Sequence, residues 1–124
     1  MATTTFTTGK QFASYLSNTW GRSYVKSLGE GTLERRLQII RDRIERLSRQ
    51  DIYSDDALPF GYDPAAYGLW WVVTSGRVNT QVYAALKSMT VRQLCELVHT
   101  LLVECGPTTE NYARFLMERY RQAA

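Results

Sequence analysis

Residues 91–106 read VRQLCELVHTLLVECG, and residues 107–120 continue as PTTENYARFLMERY. This pair of segments decides the fold class. Val91, Leu94, Val98, Leu101 and Cys105 recur at steps of three and four, so a helix places them on one face. Leu97 and Leu102 widen that stripe. Thr90 suits an N-cap, and Gln93 three residues on completes a capping box. Gly106 and Pro107 then end the helix. A second helix starts at Thr108 or Thr109, with Glu110 in its first turn. Tyr112, Leu116 and Tyr120 form its apolar edge, flanked by Ala113 and Met117.

Upstream, residues 78–89 repeat helical spacing through Val78, Val82, Leu86 and Met89, with Asn79 or Thr80 as the cap. Residues 32–48 carry the strictest stripe, Leu33, Leu37, Ile40, Ile44 and Leu47, behind a Thr32 cap. The opposite face holds Arg35, Arg36, Arg41, Arg43, Arg46 and Arg49 against Glu34, Asp42 and Glu45. Asp42 with Arg46, and Glu45 with Arg49, are favourable four-apart pairs. That face reads as solvated and laced with salt bridges. The alternative is a face that meets an acidic neighbour or a phosphate chain. In residues 9–28, Thr8 caps and Phe12, Leu16 and Trp20 lie four apart, with Tyr15 beside them. Gly21 interrupts, and Tyr24, Val25 and Leu28 carry the pattern on. Residues 1–8 form a flexible Thr-rich arm whose one large apolar residue is Phe6.

Residues 50–66 read as a long connection, with Asp51, Asp55, Asp56 and Asp63 among Pro59, Gly61 and Pro64. The aspartates lack the spacing of a calcium loop. Phe60 and Tyr62 are expected to anchor this loop on the core. Residues 67–73 are the most apolar run. Their aromatic and β-branched content favours a strand, with the buried start of a helix as the alternative. Ser75 and Gly76 mark a turn. The expected fold is therefore all-α: one domain over residues 1–124, with helices at about 9–28, 32–48, 79–89 and 90–105 and a shorter C-terminal helix. An up-down four-helix bundle with an aromatic cluster at one end buries every stripe.

The chain is 44% hydrophobic and 22% charged, the profile of a globular domain. Its net charge of +3 and pI near 9.0 are compatible with an anionic partner. Eight Tyr, four Phe and three Trp are many for 124 residues and hint at subunit contacts. No apolar run reaches the length of a membrane span, and the N-terminus lacks the pattern of a signal peptide. Cys95 and Cys105 on one helix stand roughly 15 Å apart, too far to bridge each other, which fits a reducing compartment.

Catalysis has little to stand on. His99 is the one histidine, beside the apolar stripe, and reads as a packed or solvent-facing residue. Cys95 lies one turn from it, but two potential ligands do not make a zinc site. The motifs of hydrolases, phosphate loops, zincins and redox pairs are missing. We expect no catalytic residue, no metal, no cofactor and no small-molecule substrate.

The C-terminal stretch resembles that of the coat proteins of rod-shaped plant RNA viruses of the tobamovirus type. In that family an inner helix ends in Leu/Ile-Val-Glu, a short Gly/Thr loop follows, and a Tyr-x-Arg-x-x-Phe-Glu signature comes next. Leu102, Val103 and Glu104, the loop of residues 106–109, and Tyr112, Arg114, Met117 and Glu118 fall in that register, with Met in the place of Phe. Thr7, Thr8, Gln11 and Phe12, with Trp20 soon after, are similar to how those proteins begin. The chain departs from the family in lacking a long inner loop before the last bundle helix. Leu86 and Met89 stand where the family has Arg and Asp, and the C-terminal tail is shorter.

The resemblance implies a four-helix bundle that self-assembles into a helical rod or filament around single-stranded RNA. The virion and the host cytoplasm are then its locations. It implies phosphate contacts at the inner end of the bundle, at the third helix start and the turn into the fourth. The groups available there are Arg77, Asn79, Thr80, Gln81, Lys87, Ser88, Thr90 and Arg92, with Arg77, Asn79, Thr80, Gln81 and Arg92 as the RNA-binding set. It implies subunit contacts through Phe12, Trp20, Tyr112, Arg114 and Glu118. Other readings remain. One is a small non-polymerising helical adaptor that docks a partner through its aromatics, with Trp20-Gly21 as a peptide hook. Another is a helical subunit that completes an enzyme site in another chain.

Overall fold

The computed structural model describes residues 6–21, 31–50, 57–106 and 109–121. Six helices account for most of them: α1 (Gly9–Trp20), α2 (Leu33–Ser48), α3 (Tyr62–Thr74), α4 (Thr80–Lys87), α5 (Val91–Cys105) and α6 (Tyr112–Tyr120). A 3-10 turn, Thr109–Asn111, leads into α6. No strand occurs among the described residues.

Four N-termini form where side-chain caps stand in the sequence. Thr8, Thr32, Asn79 and Thr90 each accept a hydrogen bond from the backbone N–H three residues on. At α5 the Gln93 side chain also accepts from the Thr90 N–H at 2.9 Å, which closes the capping box. Gly106, at φ +76°, ends α5 in a conformation that a side chain would strain. The expected first helix is described only as far as Trp20; residues 22–28 lie outside the described residues. Phe6 is half-buried and meets Phe12, Tyr15 and Tyr62, so the arm is tied down from that residue onward.

The strand expected at residues 67–73 is helix, and that helix begins inside the expected connection, at Tyr62. Pro64 is its third residue, where the missing N–H would have found no intrahelical acceptor. Gly61 sets the turn into it at φ +113°, and a Cβ there would come within 2.7 Å of Leu102 Cδ1. The expected anchors divide: Tyr62 is buried, whereas Phe60 is 88% exposed.

The helices pack in a chain of neighbours. α1 lies along α5, α5 borders α3, and α3 lies along α2. α6 covers α3, α4 and α5 from one side. Leu37 and Leu101 are both buried in the core as expected, although α2 packs chiefly on α3 and reaches α5 only narrowly. Burying one such side chain stabilises the fold by roughly 1.5–3 kcal/mol. Phe6, Phe12, Tyr15, Tyr62 and His99 form an aromatic cluster between α1, α3 and α5, with Phe12 stacked on Tyr62 at 4.3 Å. No described helix is long and apolar enough to cross a membrane.

Candidate nucleic-acid interface

The arginines of α2 do not form one solvated face. Arg36 and Arg43 are seven residues apart and therefore share a side of the helix. Arg36 is only 5% exposed and donates to the carbonyls of Met89 at 2.8 Å and Lys87 at 3.0 Å. Arg43 donates through Nε to the Thr19 hydroxyl at 3.1 Å and through an Nη to the Thr19 carbonyl at 2.7 Å. Both cations thus satisfy carbonyls at or just past a helix C-terminus, that of α4 and that of α1. The helix dipole favours positive charge there. Of the two expected four-apart pairs, Glu45 and Arg49 stand 3.8 Å apart, the one ion pair among the described residues, whereas Asp42 accepts from the Gln38 amide at 3.0 Å and does not pair with Arg46.

Three other arginines lie over aromatic rings instead, Arg119 the most loosely, at 5.8 Å from the Phe115 centroid and 5.9 Å from that of Tyr120. The Arg41 guanidinium carbon is 4.5 Å from the Trp70 ring centroid and 5.0 Å from that of Tyr67. Arg77 sits 4.4 Å from the Trp71 centroid. Tyr67, Trp70, Trp71 and Thr74 are spaced three and four apart along the outer side of α3. Ala65, Ala66, Leu69, Val72 and Val73 form its buried side. Tyr67 is 43% exposed and both tryptophans are half-buried. Neither Arg41 nor Arg77 has a carboxylate within ion-pair distance among the described residues. Asp63, at the start of α3, is held above the ordinary carboxylate range, chiefly by burial and then by Glu45, against the pull of Arg49 and Arg41. The sequence hides this face because its aromatics stand in one unbroken apolar run. The signal that reveals it is the division of α3 into a small-residue side and an aromatic side.

The RNA-binding set expected at the inner end is only partly brought together. Thr80, Gln81, Ser88, Met89, Gln93 and Tyr120 line one open groove, so the starts of α4 and α5 do share a surface. The Asn79 side chain caps α4 through Val82 N–H, and Thr90 caps α5. Arg92 reaches across to the Ser14 hydroxyl on α1. Arg77 belongs to the α3 face. Lys87 is exposed, and its carbonyl is held by Arg36.

The expected subunit contacts divide likewise. Phe12 and Tyr112 are fully buried within the single chain and present nothing to a neighbour, which corrects their assignment to an interface. Apolar residues at the centre of a stripe are consumed by the core. The Tyr112 hydroxyl donates to the Gly106 carbonyl at 2.6 Å. Trp20 is half-buried beside a groove lined by Arg35, Ile39 and Arg46. Arg114 and Glu118 are exposed one turn apart on α6.

His99 is buried, and its Nδ1 is hydrogen-bonded to the Tyr62 hydroxyl at 2.7 Å. Burial lowers its pKa and pushes that of Tyr62 up to about 12, so a neutral imidazole meets a protonated phenol at pH 7. Both cysteines are free, and burial pushes the Cys95 thiol up the furthest. Among the described residues no group of three potential ligands could hold a metal ion. No protein-family model, no curated protein and no solved structure matches the chain.

Proposed function

We propose that this chain is a structural subunit of the coat-protein type. In this reading α1, α2, α3 and α5 form an up-down bundle, copies assemble into a helical rod or filament, and single-stranded RNA is held by sequence-independent phosphate contacts. The observation that carries it is the pair Arg41 and Arg77, cations held at the surface with no carboxylate partner among the described residues. A phosphate chain is the anion that such sites take without reading sequence. Thr80 and Gln81 extend the contact into the inner groove that they line, and Arg92, which reaches Ser14 on α1, is the remaining cation of the expected set. Of the expected contact residues, Arg114 and Glu118 are exposed and Trp20 is half-buried, and these three carry the proposed subunit contacts.

Sedimentation and negative-stain microscopy, with and without RNA, test the assembly. The expected result is rods or filaments that pellet with RNA. Replacing Arg41 and Arg77 by Ala should lower the salt slope of RNA binding by about 0.7 for each phosphate no longer neutralised, alike for unrelated sequences. The control pair is Arg35 and Arg46, exposed on another side of α2. A change in slope with the control pair alone moves the RNA to that side. A chain that stays monomeric and binds no RNA is the helical adaptor instead.

A further inference from the structure

We infer that the outer side of α3 is a base-stacking platform for single-stranded RNA, an inference that rests on the RNA reading above and specifies its contact. Phosphate binding alone needs only exposed cations, and α2 has those in Arg35 and Arg46. The α3 face differs in pairing each cation with a ring. The Tyr67 and Trp70 rings, 5.6 Å apart and tilted by 46°, share the Arg41 guanidinium, and Trp71 takes Arg77. One helix therefore carries two stations, each of ring and guanidinium. A ring stacks any base, and a guanidinium takes either a base plane or a phosphate. Unpaired bases can enter such stations; bases inside a duplex cannot.

The charge of the face selects the occupant. Arg41 and Arg77 have no carboxylate within ion-pair distance among the described residues, and Arg41 acts on Asp63 only at longer range, so a ligand that brings anions together with flat apolar surfaces completes them. Unpaired nucleotides bring both in every repeat. A second protein would have to supply carboxylates and apolar side chains at matched positions.

The full-length chain is titrated with three polyanions: oligouridylate, a duplex RNA of equal length, and inorganic polyphosphate. Tryptophan fluorescence is the readout. Oligouridylate should quench it and bind at least tenfold more tightly than the other two. Trp70→Leu should weaken oligouridylate binding by roughly 5- to 150-fold, the worth of one stacked base, and leave polyphosphate binding unchanged. Trp70→Tyr keeps a ring and should recover most of the loss. If Trp70→Leu fails to fold, the ranking and quenching of the parent decide alone. Equal binding of all three polyanions, or parental oligouridylate binding by Trp70→Leu, overturns the platform and leaves the phosphate-binding coat reading in place. Failure of every polyanion to bind overturns both. If Trp70→Leu abolishes self-association of an RNA-free chain that binds no polyanion, the face is a protein interface, and the platform falls.

Discussion

Arg36 and Arg41 belong to one helix and lie five residues apart, yet they do opposite work. Arg36, together with Arg43, is turned onto main-chain carbonyls and closes helix ends. Arg41, together with Arg77 beyond α3, is turned onto aromatic rings at the surface. The first pair holds the fold and is spent. The second contributes little to folding, and in the proposed reading its charge meets the RNA. A count of basic residues on a helical wheel does not separate the two, because what decides is the group that faces each guanidinium.

The largest expected effect is on the first pair. Arg36→Met leaves the part-buried carbonyls of Lys87 and Met89 without their donor, and an acceptor left unsatisfied away from water costs roughly 1–3 kcal/mol. Thermal or urea unfolding should show a loss of about 2–4 kcal/mol, with RNA affinity of the folded protein unchanged. A variant that melts like the parent would show that Arg36 does not hold the fold. Arg43→Ala is expected to cost less, about 1–2 kcal/mol, because Arg43 is only half-buried and water can replace it at Thr19. Arg41→Ala and Arg77→Ala sit at the other extreme. A cation over a ring at the surface is worth about 0.5–1 kcal/mol, so stability should barely move while, in the proposed reading, the salt slope of RNA binding falls.

The smallest expected effect is a dependence on pH. His99 is held below its ordinary value of 6.5, so the unfolded chain takes up its proton first as pH falls. Stability is therefore full above about 6.5 and declines as pH drops towards the folded value. His99→Gln should remove that decline, measured as the difference in melting temperature between pH values of about 7.5 and 5.5. Asp63 is shifted upwards and acts in the opposite sense, at the lower pH of the carboxylates. Arginines stay charged throughout, so RNA affinity on the Arg41 face should not follow the His99 change. An affinity that follows it would place the RNA against α5 instead.

The helix starts were legible in the sequence because their chemistry is local. Thr8, Thr32, Asn79 and Thr90 cap the residues that immediately follow them. The stripes of α2 and α5 were legible for the same reason, since periodicity needs no knowledge of the partner. α3 was not. Its two sides differ in size, with Ala65, Leu69 and Val72 inside and Tyr67 and Trp70 outside, but hardly in polarity, so hydropathy shows no period. Phe60 misled because hydrophobicity alone does not say that Gly61 swings the chain under Leu102 and leaves the ring outside. Nor could the roles of Arg36 and Arg43 be read, because their acceptors lie on other helices. The candidate interface, built on contacts between α2 and α3, was invisible for that reason.

The reach of Arg36 also bears on the rate at which the chain comes apart. It ties α2 to carbonyls 51 and 53 residues further along. The capped turn between α4 and α5 is local and forms early, whereas a contact that closes so long a loop forms late. An interaction absent from the folding barrier acts on unfolding alone. Arg36→Met should therefore leave the refolding limb of a chevron in place and lift the unfolding limb by nearly the whole stability difference. This one guanidinium then governs how long the folded chain survives once formed.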